Sequence, residues 1–132
     1  MDLPREKNKK MKSMIILLLL TACLLCGTAC NAIYINDVSE RLLFAIESLP
    51  SPESDDCASR INDLISFWES KIDTVCLSVS YTVADRISEH AAVLLACADC
   101  GDRFGFYSAL ELLRDAVGDM RRLEQFSIGN LL

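Results

Sequence analysis

The chain has 132 residues, 52% of them hydrophobic, and carries 13 Lys or Arg against 19 Asp or Glu for a formal net charge of −6. That length leaves room for one small domain beside any membrane segment and excludes a second. The basic residues cluster before Ser13, and from Asn36 onward eight Lys or Arg face seventeen Asp or Glu, a balance that excludes nucleic acid as a partner.

The first element is a charge-free run from Ser13 to Asn36 containing the apolar stretch Met14 to Ile35, directly behind Arg5, Lys7, Lys9, Lys10 and Lys12. As an α-helix the stretch would measure roughly 33 Å, enough to cross a hydrocarbon core of about 30 Å. Basic residues before it and Asp37, Glu40 and Arg41 behind it predict a cytoplasmic N-terminus. Residues 1–13 are then a basic cytoplasmic region, 14–35 the anchor and 36–132 an extracytoplasmic domain.

A second reading starts from Leu20-Thr21-Ala22-Cys23, the apolar, small, small, Cys order of a bacterial lipobox, which makes Cys23 the candidate lipidation residue. Leu24, Leu25, Ile33, Tyr34 and Ile35 speak against it, because they prolong the apolar character past the cleavage point. Cleavage with simple secretion is the third option. Each of the three places the domain outside the cytoplasm.

Beyond the run, Val38, Leu42, Ala45, Ile46 and Leu49 continue at helical spacing until Pro50-Ser51-Pro52 interrupts it, so the first helix is expected to continue past the membrane and pack on the later helices. Ser51 as N-cap, Pro52 at the first helical position and Glu53, Asp55 and Asp56 in the first turn predict the start of a second helix. Its core face is Ile61, Leu64, Ile65, Trp68, Ile72, Val75 and Val79. Thr82 and Asp85 have capping-box spacing for a third helix, with Val83, Ile87, Ala91, Leu94, Leu95 and Ala98 inward.

Gly101 suits a left-handed helix end and Asp102 can cap the next helix, which predicts a tight hairpin. The fourth helix turns Phe106, Leu110, Leu113, Val117 and Met120 inward, with Arg121 and Arg122 toward its negative pole. The expected fold is all-α: an N-terminal transmembrane or signal helix continuing into a small antiparallel bundle of about three further helices.

This order resembles the DUF4363 family of small bacterial membrane-anchored proteins, a domain of unknown function. The features that carry the resemblance are the N-terminal anchor, Trp68-Glu69, Gly101-Asp102 at the hairpin, and the tail Glu124-Gln125-Phe126-Ser127-Ile128-Gly129-Asn130-Leu131-Leu132. The resemblance implies a membrane-attached helical domain and no activity. Family members carry a His near the position of Tyr81, so a role for that His does not transfer here.

Seven cysteines divide into Cys23, Cys26 and Cys30 in the apolar run and Cys57, Cys76, Cys97 and Cys100 in the domain. Cys97 and Cys100 form a Cys-x-x-Cys candidate redox pair, yet it falls at a helix end beside Asp99 and Asp102, where the dipole and both carboxylates disfavour a thiolate. Small buried thiols in a helical domain fit better than a disulfide framework. Cys23, Cys26 and Cys30 could line one helix face, although apolar filler explains them more simply.

His90 is the sole His, so a zinc site lacks ligands and a nucleophilic triad lacks partners. Trp68 reads as a core anchor, and the acidic group from Glu53 to Asp56 as helix-start electrostatics. Nothing in the residues calls for a catalytic site, a metal, a cofactor or a small-molecule substrate. The expectation is a non-enzymatic module that contacts the membrane and another membrane or envelope protein, through the first helix or through Phe126, Ile128, Leu131 and Leu132; that tail is more simply read as docking on the domain's own core.

Overall fold

The computed structural model describes residues 3–130, apart from the side chains of 127 and 128. The expected tail contacts of Ile128, Leu131 and Leu132 therefore lie outside the described residues. Four helices occur in order, α1 (Leu3–Glu47), α2 (Cys57–Val75), α3 (Tyr81–Cys100) and α4 (Arg103–Gly129), with no strand among the described residues. The chain divides into two compact units, Met1–Asn31 and Ala32–Leu132.

The first unit is helical, and its apolar side chains from Met14 to Leu25 are exposed. Among the described residues it belongs to the one helix, near the N-terminus, that is long and apolar enough to cross a membrane. Its hydroxyls are satisfied within the helix: Thr21 Oγ1 donates to the Leu17 carbonyl at 2.8 Å and Thr28 Oγ1 to that of Leu25 at 2.9 Å. In hydrocarbon, where no water can serve as acceptor, that satisfaction is required of any polar side chain.

The second unit is an all-α bundle. From α1 it takes Ile35, Val38, Leu42 and Ile46; from α2 Ile61, Leu64, Trp68 and Val75; from α3 Val83, Ala84, Ile87, Ala91 and Leu94; and from α4 Phe106, Ala109, Leu113, Ala116, Val117 and Met120. Each set repeats at three- and four-residue steps, so every helix turns one stripe inward. Each large apolar side chain contributes about 1.5–3 kcal/mol by leaving water. Ile35 is fully buried here, so the last residue of the apolar stretch belongs to the bundle core.

Buried Ser39 breaks the apolar stripe of α1, and its Oγ donates to the Ile35 carbonyl at 2.7 Å, which removes the cost of burying a hydroxyl.

Three helix ends differ from the sequence reading. α2 starts at Cys57 rather than at Pro52, because residues 51–57 close two successive turns, with the Ser54 N–H on the Ser51 carbonyl and the Cys57 N–H on that of Ser54. α3 starts at Tyr81 behind Ser80, whose carbonyl accepts from Val83 and Ala84, so Thr82 lies inside the helix and forms no capping box. α4 runs on to Gly129, which places Arg121 and Arg122 two turns before its end, too far to meet the negative pole. They pair sideways instead, Arg121 Nη2 with Glu40 Oε1 of α1 at 3.3 Å and Arg122 with Asp119.

The hairpin between α3 and α4 matches its sequence signal closely. Gly101 has φ 72° and ψ 20°, the left-handed region that glycine enters without a Cβ clash. The Asp102 N–H then bonds the Cys97 carbonyl at 3.0 Å and the Gly101 N–H that of Ala98 at 3.4 Å, the paired bonds of a Schellman end. Asp102 Oδ1 accepts from the Gly105 N–H at 2.9 Å and so caps α4.

Candidate functional site

Three places carry residues singled out by composition or spacing, and a fourth arises only from helix packing. The first is the apolar run, where Cys23, Cys26 and Cys30 are exposed on α1. Steps of three and four residues put these sulfurs on one side of the helix.

The second is the Cys97–Cys100 corner. Cys97 is half-buried and Cys100 exposed, and Cys100 Sγ lies 3.7 Å from the Cys97 carbonyl oxygen. Burial pushes the Cys97 thiol up, and Asp102 and Cys100 push it further the same way. A Cβ on Gly105 would fall 2.8 Å from Cys97 Sγ and collide with the Asp102 carboxylate, so the cap, the sulfur and the glycine fill one tight volume. The corner is built for packing, and a thiol held in its protonated form is a poor nucleophile.

Cys57 is buried, with its Sγ 3.8 Å from the Pro50 carbonyl oxygen, and burial, then the charge of Glu53, raises its pKa. Cys76, the residue after α2, is raised by burial and then by Asp85 and Asp73. All seven cysteines are free thiols.

The third is the Trp68 seat. Trp68 is 1% exposed, and its indole Nε1–H donates to Ser88 Oγ of α3 at 2.8 Å; that hydroxyl lies 3.3 Å from the Ala84 carbonyl, to which it donates. The indole is therefore occupied in joining α2 to α3 and offers no ligand platform. Sequence reasoning does not single out Ser88, although a buried indole N–H asks for an acceptor one helix away. His90 is half-buried on the same helix. Among the described residues no group of three or more His, Cys, Asp or Glu is placed to hold a metal ion.

The acidic residues before α2 have a local partner set. The Ser51 hydroxyl bonds Glu53, its oxygen accepts from the Glu53 N–H at 3.3 Å, and Arg103 at the start of α4 lies 3.4 Å from Glu53 Oε1. The Ser51 hydroxyl is the main reason that Glu53 lies below the usual carboxylate range, with Arg103 adding to it.

The fourth place is not legible residue by residue in the sequence. Between α1 and α2 a cleft of about 320 Å3 is floored by Phe44, Ala45, Leu64 and Phe67 and rimmed by Arg41, Arg60 and Asp63. Phe44 is 74% exposed although it belongs to the helix that supplies Leu42 and Ile46 to the core. The Lys71 ammonium sits 5.7 Å from the Phe67 ring centroid, a cation–π contact at the cleft wall. An aromatic at an off-stripe position is the only sequence signal for this cleft, since α1 and α2 must pack before Phe44 and Phe67 become neighbours.

Neither family models, curated proteins nor solved structures yield a match to this chain.

Proposed function

We propose that the chain is a single-pass membrane protein with a cytoplasmic N-terminus and an extracytoplasmic bundle that works without catalysis, by docking a second membrane or envelope protein at the Phe44–Phe67 cleft. The exposure of Phe44 carries this reading. A large aromatic left in water beside a second one, inside a ring of charged side chains, has the composition of an interface centre with its polar rim. The membrane part rests on the apolar helix near the N-terminus and on the basic residues that precede it. The motif order that resembles DUF4363 supports the same architecture and supplies no reaction.

A photoreactive residue in place of Phe44, crosslinked in intact membranes, should capture one reproducible neighbour, and Phe67→Asp should abolish the adduct. Adducts no more specific than those from a photoreactive residue at exposed Glu111 would overturn the docking role. A reporter fused after Leu132 that is active only in the cytoplasm would overturn the topology.

Two narrower readings rest on single features. Lipidation at Cys23 is supported by Leu20-Thr21-Ala22-Cys23, and an alkyne-palmitate label lost in Cys23→Ser is its test. A redox role for Cys97 and Cys100 is supported by spacing alone, and the raised Cys97 thiol opposes it. It requires a reductant-sensitive mass shift that disappears in Cys97→Ser.

A further inference from the structure

We infer that the Phe44–Phe67 cleft takes an acidic amphipathic helix of its partner, with Arg60 and Lys71 receiving carboxylates on either side of the apolar floor. The inference rests on the docking role proposed above for this cleft and adds the chemistry of what docks there.

The distribution of ion pairs singles out this face. Of the eight Lys and Arg from Asn36 onward, six are paired: Arg41 with Asp37, Arg86 and Arg122 with Asp119, Arg103 with Glu53, Arg114 with Glu111 and Arg121 with Glu40. Among the described residues Arg60 and Lys71 have no such carboxylate, and both border the cleft, Arg60 on its rim and Lys71 against the Phe67 ring. Arg60, Leu64, Phe67 and Lys71 follow one another on α2 at steps of four, three and four residues. They therefore share one side of the helix, with about 16 Å between the two charges. Asp63 is the only carboxylate among the lining residues, so the rim carries excess positive charge on a domain that is otherwise acidic.

Other exposed apolar side chains lack this company. Phe104 is 87% exposed, but its neighbour Arg103 is committed to Glu53. Phe126 shares a cleft with Arg86 and Arg122, which both face Asp119. Leu77 and Tyr81 lie in a stretch, residues 72–85, without Lys or Arg.

Floor and rim together decide the occupant. The cleft walls spend their backbone N–H and C=O groups inside α1 and α2, so no extended strand can add there; a groove between two helices is filled instead by the apolar stripe of a third. Carboxylates about three turns apart on such a helix, with large apolar residues between them, meet Arg60 and Lys71 together. A single anionic headgroup reaches only one of the two. A second copy docking by the same face would set excess positive charge against itself. The acidic remainder of the domain acts weakly on the docked helix, since charges beyond about 8 Å are screened at physiological salt.

The test uses the full chain in intact membranes with the photoreactive residue at position 44. Arg60→Glu/Lys71→Glu should lower the adduct about tenfold and Arg60→Gln/Lys71→Gln about threefold, while Arg114→Glu, which alters an ion pair on α4, should leave it unchanged. Unchanged Trp68 emission from the purified variants shows that they remain folded. Mass spectrometry should map the adduct to a partner helix with Asp or Glu on both sides of its apolar residues. Reversing those acids to Lys should restore capture by Arg60→Glu/Lys71→Glu.

An adduct undiminished by the double reversal would overturn the inference and leave the docking role standing. Loss without restoration by the charge-swapped partner would overturn it too, as would an adduct that maps to lipid, to a second copy of this chain or to a segment without those acids. Adducts no more specific than those from position 111 would overturn both readings.

Discussion

Replacing Ser88 by alanine removes the acceptor of the Trp68 indole while leaving the ring in place. The indole is 1% exposed and its bond to Ser88 Oγ is 2.8 Å, so the N–H has no water to turn to. An unsatisfied buried donor costs about 1–3 kcal/mol. Alanine returns roughly 0.5 kcal/mol through its better helix propensity. The half-buried setting of Ser88 favours the lower part of the range, which leaves a net loss of about 1 kcal/mol.

For a bundle of this size such a loss lowers the unfolding midpoint by about 4–8 °C. The assay is guanidinium and thermal unfolding of the full chain in mild detergent, monitored by Trp68 emission and by circular dichroism. Trp68→Phe removes the donor, so in that background Ser88→Ala should gain about 0.5 kcal/mol from helix propensity alone, and the double-mutant cycle should return a coupling of about 1.5 kcal/mol. Equal losses from Ser88→Ala in both backgrounds would refute the assignment of this bond as the polar link between α2 and α3.

Two glycines of α4 should respond with opposite signs in the same unfolding assay. Gly105→Ala forces a Cβ against the Asp102 carboxylate and Cys97 Sγ and should cost about 1–2 kcal/mol through the lost cap, whereas Gly118→Ala meets no atom within 4 Å and should gain about 0.5–1 kcal/mol. At Glu53 the folded pKa is lowered, so its contribution to stability is present above the unfolded value of about 4.3 and is lost as pH falls through the folded value. Carboxyl-carbon NMR titration should show Ser51→Ala raising the Glu53 pKa more than Arg103→Ala, and the reverse order would make the guanidinium the dominant partner.

Stripes of apolar residues made the helices legible, because a helix that must bury one face writes its period into the chain. Gly101 and Asp102 were legible for a related reason: a left-handed helix end and a side-chain cap are local demands that glycine and aspartate meet within a few residues. Local signals failed where two of them competed. Ser51 and Pro52 suit a helix start, yet Ser51 and Ser54 close turns of their own, and Cys57 is the first residue of this stretch to reach the core. Thr82 and Asp85 had the right spacing for a cap, but Ser80 stands at the point where buried Val79 ends the turn.

The chain by itself determined an all-α architecture, an apolar helix near the N-terminus and an acidic domain, since each arises from periodicity, composition or near neighbours in sequence. Only the tertiary structure decided which side chains meet: Trp68 with Ser88, Glu40 with Arg121, Phe44 with Phe67. Those pairings join residues on different helices, and their partners are set by how the stripes interlock, a property of the packed core that no single segment contains.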